Sequence, residues 1–113
     1  MSLGRKQEEF MRMLPRLIDH VHSLGYEIRG GDLFRAPSVF GHIGEKKGYG
    51  HKNSCHKLKL AIDLNITKDG VYLKGDAAKQ AHDMFHDFWD DMGGAERIAH
   101  DLNHYSIEHH GYR

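Results

Sequence analysis

The sequence has little cysteine, no excess charge of either sign and no long apolar run. Cys55 is the single cysteine among 113 residues, so an internal disulfide is excluded and a reducing compartment is expected. Sixteen basic residues balance sixteen acidic ones, which gives no support to a role on nucleic acid or on a membrane surface. No apolar run approaches the roughly 20 residues that a membrane span needs, and the N-terminus lacks the apolar core of a signal peptide.

Length and composition predict one folded domain, residues 1–113, with a modest hydrophobic core. Charged residues make up 28% of the chain, which is typical of a soluble globular protein. Eleven histidines are many for this length. They favour a metal site, although we expect several of them to be surface residues.

Apolar periodicity predicts an α+β domain in which helices flank a small antiparallel sheet. Residues 5–24 have the three-four spacing of an amphipathic helix, which Pro15 should kink or divide and Gly25 should cap. A second helix is expected at about 77–92, with Asp76 as its N-cap and an apolar face that includes Phe88 and Trp89. Short strands are expected at about 26–29, 57–66, 71–73 and 103–108, with Asp69-Gly70 as a hairpin turn.

The segment 38–53 has no periodicity and is rich in glycine, lysine, histidine and asparagine. This composition predicts a long loop. Loops of this length in small domains are often binding loops or lids, so His42 and His51 are candidates for substrate contact, although solvated positions are expected for both.

The strand predicted at 57–66 carries the residues around which the site is expected. Its apolar positions alternate with polar ones, and Asp63 lies on the polar face while His56 stands just before the run. Both residue types bind metals. The two positions are seven apart, however, so on one regular strand they would face opposite sides. His56 must therefore precede the strand or a bulge must intervene, and we expect irregular structure between residues 55 and 60.

Two short motifs resemble those of the M15 family of zinc peptidases. The first is Ser-x-His followed after six residues by Asp, with Ala two residues before the Asp, and the second is an acid, two residues and His. The matching residues are Ser54, His56, Ala61 and Asp63 for the first motif and Asp101 and His104 for the second. The resemblance spans roughly residues 17–108. The family includes D-alanyl-D-alanine carboxypeptidases, dipeptidases and phage L-alanyl-D-glutamate endolysins.

Two further positions bear on the resemblance. Arg35, in Arg35-Ala36-Pro37, matches an Arg followed by a small residue and Pro in the endolysin-like branch. Lys59 departs from the pattern, because the family usually has Gly there. This departure removes no ligand but is expected to change the packing beside the metal.

The resemblance implies a fold similar to that of Hedgehog signalling domains and DD-peptidases, with one zinc ion at three protein ligands. It assigns proton transfer to Asp101, substrate binding and carbonyl polarisation to Arg35, and a supporting hydrogen bond to Ser54. Cys55, whose sulfur is a soft metal ligand, is the alternative to its neighbour His56 as a ligand. The metal ligands that the resemblance implies are His56, Asp63 and His104.

The implied function is hydrolysis of peptide bonds in bacterial peptidoglycan stem peptides. We expect a monomeric endolysin-type L-alanyl-D-glutamate endopeptidase of phage origin, which accumulates in the host cytoplasm before lysis and then acts on the cell wall, with no nucleic-acid or membrane partner. A virion-associated lysin, a D-alanyl-D-alanine carboxypeptidase or dipeptidase, and a non-catalytic zinc module of the same fold remain open. A histidine-rich nuclease is a weaker alternative, because the neutral chain lacks a basic stripe.

A second histidine pair competes for the metal. His82 and His86 are four residues apart on a predicted helix and therefore share one face, as in the zincin pattern. Asp replaces the usual Glu after the first histidine, and no third ligand follows at the metzincin spacing. We therefore predict that both are exposed helix histidines.

Overall fold

The computed structural model describes residues 1–48 and 51–113 and has an α+β architecture. The predicted small antiparallel sheet with flanking helices is confirmed. The elements are α1 (Leu3–Ser23), β1 (Glu27–Gly30), α2 (Pro37–Phe40), a 3₁₀ turn (Cys55–Leu58), β2 (Ala61–Lys68), β3 (Val71–Tyr72), α3 (Gly75–Asp91) and β4 (His104–Ser106). Within the described ranges, no helix combines the length and apolar character needed to cross a bilayer.

β2 is the central strand, and each of its neighbours runs antiparallel to it. β1 pairs along one edge, from Glu27 opposite Thr67 to Gly30 opposite Leu64. The other edge is shared, because β4 pairs with residues 61–63 and β3 pairs with residues 67–68. Residues 64–66 therefore have a described strand on one edge only.

The core lies between the two long helices and one face of β2. α1 packs against α3, and the Phe10 and Trp89 rings meet edge to face with centroids 5.8 Å apart. Leu64 and Ile66 of β2 are buried on the same side of the molecule. The amphipathic periodicity of the first helix is confirmed by its buried positions, which are Phe10, Met13, Leu14, Leu17 and Val21.

Pro15, which was predicted to kink or divide the first helix, does not divide it. α1 is continuous from Leu3 to Ser23 and carries Pro15 on its exposed side. Buried residues on both sides of the proline hold the two halves against the same core, and this packing offsets the hydrogen bond that proline removes. The predicted cap is confirmed, because Gly25 has φ +88° directly after the helix.

Two predictions for α3 also need correction. The helix begins at Gly75 with Lys74 as N-cap, so Asp76 lies in the first turn and does not cap it. His82 and His86 are 5% and 1% exposed, whereas exposed positions were predicted. Both face the core because each has a polar partner there, a tyrosine hydroxyl and a backbone carbonyl respectively.

The loop and turn predictions have mixed outcomes. Residues 49–50 of the predicted loop lie outside the described residues, and α2 forms a short helix within the remainder. The predicted hairpin turn is confirmed, since Asp69 and Gly70 both have positive φ and join β2 to β3.

Candidate metal centre

His56 is held by a 3₁₀ turn and does not belong to a strand. The turn covers Cys55–Leu58, and the Ser54 hydroxyl accepts a hydrogen bond of 3.2 Å from the backbone N–H of His56. Lys59 follows in a left-handed conformation with φ 58°, and the strand begins only at Ala61. The irregularity predicted between residues 55 and 60 is therefore confirmed, and it lets His56 and Asp63 face the same point.

Asp63 and His104 are cross-strand neighbours on β2 and β4. Side chains directly opposite on antiparallel strands lie on the same face, so this pairing places the carboxylate beside the imidazole. His56 is fully buried, His104 is 5% exposed and the Asp63 side chain is 17% exposed. Of the three, the carboxylate is the most accessible from solvent.

The three side chains place one ligand atom each at a common point. His56 Nε2 lies 3.1 Å from Asp63 Oδ1 and 3.1 Å from His104 Nδ1. The remaining pair, His104 Nδ1 and Asp63 Oδ1, is 3.6 Å apart. This buried group could hold a metal ion.

The hydrogen bond of His56 Nδ1 indicates which nitrogen of the ring carries the proton. His56 Nδ1 lies 3.3 Å from the Leu33 carbonyl oxygen, and a carbonyl only accepts, so the ring proton is placed on Nδ1. The lone pair of Nε2 then points at a carboxylate oxygen and at a second imidazole nitrogen. The repulsion between these electron-rich atoms is relieved by a shared proton or by a cation. Metal ions bind nitrogen and oxygen donors of this kind.

The electrostatics of Asp63 follow from the same contacts. Burial alone would raise the pKa of this carboxyl group, but the hydrogen bonds with His104 and His56 act in the opposite direction and outweigh it. The pKa of Asp63 therefore lies well below its ordinary value. The carboxylate is charged at neutral pH, which is the form in which it can bind a cation.

Arg35 lies beside the cluster, where the resemblance expects it. Its Nη2 is 3.9 Å from Asp63 Oδ2, its Nη1 donates to Ser54 Oγ at 3.2 Å and its Nε donates to Asp32 Oδ2 at 3.2 Å. Its backbone N–H donates to the His56 carbonyl at 3.1 Å. Ser54 thus links the turn that carries His56 to the guanidinium, and its supporting role stays a prediction.

Asp101 and Cys55 stand apart from the three ligand atoms. Asp101 has an exposed side chain, and its carbonyl accepts a hydrogen bond of 3.1 Å from the backbone N–H of His104. Its role as a base stays a prediction. Cys55 is buried, its thiol contacts the Ile107 carbonyl at 3.5 Å, and burial raises the pKa of the thiol. That environment suits a structural cysteine and not a ligand.

His82 and His86 pack the core, and the group of three candidate metal ligands found within the described residues does not include them. The Tyr105 hydroxyl lies 2.7 Å from His82 Nδ1, and the His86 ring stacks on the Tyr105 ring with centroids 4.2 Å apart. His86 Nε2 also lies 2.7 Å from the Leu102 carbonyl oxygen. The two histidines therefore support the segment that leads into β4.

Sequence reasoning missed the contribution of residues 31–33 to the centre. The Asp63 backbone N–H donates to the Asp32 carbonyl at 2.8 Å, and the Gly31 N–H donates to the Asp63 carbonyl at 3.0 Å. The Leu33 carbonyl orients His56. The pair Gly30-Gly31, which follows the strand predicted at about 26–29, is the one signal in the sequence for a close backbone approach here.

Comparisons with models of protein families, with curated proteins and with solved structures gave no match. The residues of the centre and their geometry are therefore the basis for a function.

Proposed function

We propose that this chain is a zinc metallopeptidase that hydrolyses peptide bonds in bacterial peptidoglycan stem peptides, with the fold and site of the M15 family. The observation that carries the proposal is the convergence of one atom each from His56, Asp63 and His104. These residues occur in the order and at the spacing of that family's motifs. Arg35, expected near the metal from the same resemblance, lies against Asp63.

The ligand set and its spacing are compatible with zinc. Four ligands at about 2.0 Å in a tetrahedron lie about 3.3 Å from one another. The three observed separations, 3.1, 3.1 and 3.6 Å, are close to that value. Two imidazoles and one carboxylate also form the usual protein ligand set of hydrolytic zinc sites, which leave one position open.

Each residue then has a distinct task. Zinc, when bound, is a Lewis acid that lowers the pKa of water and polarises a carbonyl group. Asp101 takes a proton from the attacking water and delivers it to the leaving amine. Arg35 donates hydrogen bonds to the scissile carbonyl oxygen as negative charge develops there, and its contacts with Asp32 and Ser54 hold the guanidinium in place beforehand.

The bond that we propose is the one between L-Ala and D-Glu, because Arg35-Ala36-Pro37 resembles the endolysin-like branch. Such an enzyme is expected to work as a monomer on the cell wall after release from the host cytoplasm. Removal of a terminal D-Ala is the alternative that the same residues would support. A non-catalytic zinc module would retain the ligands but would have no use for Asp101.

The decisive experiment is mass spectrometry of purified peptidoglycan after digestion by the zinc-loaded protein, with a chelator-treated sample as control. Chelator-sensitive cleavage between L-Ala and D-Glu is the expected result, whereas release of D-Ala alone would indicate a carboxypeptidase. The Asp101→Ala variant should retain zinc and lose activity. An unchanged digest from folded, zinc-bound wild-type protein would contradict the proposal and favour the module.

The ligands themselves are tested by His56→Ala and His104→Ala. Each change removes one of three protein ligands, so we expect both zinc binding and activity to be lost. Zinc content is measured by elemental analysis after dialysis, and circular dichroism checks the fold. His22→Ala, at an exposed position on α1, is the matched control and should retain zinc. Full zinc content in either ligand variant would show that the metal binds elsewhere.

A further inference from the structure

Lys57 is a buried lysine whose ammonium group bonds to three backbone carbonyls of the preceding loop. The residue is 6% exposed. Its Nζ donates to the carbonyls of His42 at 3.2 Å and Lys52 at 3.0 Å, and also to the Glu45 carbonyl. An ammonium group has three donors, so these carbonyls satisfy all of them. Hydrogen bonds from a charged donor are stronger than neutral ones, so Lys57 anchors this loop.

The three carbonyls and the Lys57 ammonium group form what we call the carbonyl cluster. Backbone bonds close the loop around it, because Gly44 N–H donates to the Lys52 carbonyl at 3.0 Å and Glu45 N–H donates to the His42 carbonyl at 2.9 Å. Buried carbonyl groups need donors. Without the ammonium group, three carbonyl oxygens would face one point with no donor between them. The shape of the loop therefore depends on Lys57.

Lys57 also belongs to the turn that carries the candidate metal ligand His56. A 3₁₀ helix has three residues per turn, so consecutive side chains point about 120° apart. His56 points to the candidate metal centre, while Lys57 points to the carbonyl cluster. The His56 ring is held at Nδ1 by the Leu33 carbonyl and at Nε2 by Asp63. Any rotation of the turn would move both side chains, so the centre and the carbonyl cluster are mechanically linked.

The anchored loop continues into one wall of a cleft that contains Asp101. His51 and Asn53 line this cleft of about 510 Å³ together with Asp101, the proposed base. The His51 carbonyl also accepts a hydrogen bond of 3.1 Å from Ser54 N–H, directly before the turn. The position of this wall therefore depends on the turn and on the carbonyl cluster.

We propose that Lys57 is a positioning residue that couples the metal centre to the loop: a metal ion that fixes His56 orders the loop, and the ordered loop strengthens metal binding. This inference rests on the metal centre of the proposed function but not on its peptidase chemistry. Coupling between two sites is reciprocal, so the two effects have the same size. The wall beside Asp101 would then be best ordered in the metal-bound protein.

Hydrogen exchange of the whole chain, with and without saturating zinc, tests the coupling. Gly44 and Glu45 report on the loop, because their N–H groups are bonded within it. We expect zinc to slow exchange at both by about fivefold or more, the lower end of the usual range for coupled sites. Leu17 is the reference, because it is fully buried in α1 and its exchange reports on global unfolding.

Lys57→Met tests whether the coupling runs through the ammonium group, because methionine keeps a long side chain but has no donor. We expect exchange at Gly44 and Glu45 to lose its response to zinc, while Leu17 keeps it. The Kd for zinc should rise by about fivefold or more. Lys57→Arg retains charged donors and should restore part of both effects. Lys46→Met is the matched control, because this exposed lysine lies in the same loop, and it should behave as the wild type.

The outcomes separate this inference from the proposed peptidase. Loop exchange that does not respond to zinc in the wild type would overturn the coupling, and so would a Lys57→Met variant that keeps that response or binds zinc with wild-type affinity. Either result is compatible with hydrolysis of peptidoglycan. Zinc-dependent ordering of the loop without any hydrolysis would support the coupling and contradict the peptidase. A protein that binds no zinc would contradict both.

Discussion

At the scale of the residue, Gly31 is the position where the candidate centre has least room. A Cβ atom placed there would lie 2.9 Å from Asp63 Cβ and 2.9 Å from the Asp63 carbonyl oxygen. One of these contacts is with backbone, which cannot rotate away as a flexible side chain can. Any larger residue at position 31 must therefore displace Asp63, although it would touch no other ligand.

This crowding makes Gly31→Ala a test of how closely Asp63 must be placed. We expect the variant to fold and to lose zinc affinity by about tenfold or more, as supporting groups around metal sites commonly do. Affinity is measured by competition with a chromogenic chelator. Gly30→Ala is the control, because a Cβ at that position meets nothing within 4 Å. Equal affinity in both variants would show that Asp63 does not set the strength of binding.

At the scale of the element, the 3₁₀ turn that carries His56 ends on an unfavourable residue. Lys59 caps the turn with φ 58°, a left-handed conformation that costs a residue with a Cβ atom about 1 kcal/mol or more. The M15 motif usually has Gly at this position. Lys59 recovers part of this cost, because its ammonium group lies 5.1 Å from the centre of the Phe34 ring.

Lys59→Gly should therefore stabilise the protein, by up to about 1 kcal/mol in the free energy of unfolding. Relief of backbone strain favours the variant, while loss of the cation–π contact and greater freedom of the unfolded chain oppose it. Urea denaturation measures the change. Lys59→Ala is the control that loses the same contact without relieving the strain, so it should be less stable than the wild type. A glycine variant no more stable than the alanine variant would contradict this account.

This turn also shows how much of the local structure could be predicted from the sequence. The odd separation of His56 and Asp63 was enough to predict an interruption before β2, because strand alternation is fixed geometry. Whether the first helix continues through Pro15 was not predictable in this way, because core packing on both sides decides whether a proline divides a helix. The burial of His86 depends on a carbonyl at Leu102, sixteen residues away, and no local pattern shows such a partner.

At the scale of the whole molecule, β4 joins the centre to the core. His104 faces Asp63, while the next residue, Tyr105, is fully buried against His82 and His86. Because side chains alternate along a strand, the candidate metal ligand His104 and the core residue Tyr105 lie on opposite faces of β4. The packing of α3 consequently bears on the position of His104, although no residue of α3 belongs to the candidate centre.

This arrangement predicts a dependence of stability on pH that arises in the core. The pKa of His82 is lowered to about 4, chiefly by burial and also by the nearby His86, while Asp83 partly opposes them. Because the folded pKa lies below the ordinary value, the unfolded chain binds the proton more readily. The stabilisation is complete above about pH 6.5 and is lost as the pH falls towards 4, a change of about 3 kcal/mol.

The measurement is urea denaturation of chelator-treated protein at several pH values, for the wild type and for His82→Gln. We expect the variant to lose less stability between pH 6.5 and 4, because glutamine has no proton to gain in the unfolded chain. His22→Gln, at an exposed position, should keep the wild-type dependence. Identical pH profiles for the wild type and His82→Gln would mean that the buried ring next to Tyr105 accepts a proton without cost, so the core beneath β4 would have to admit water.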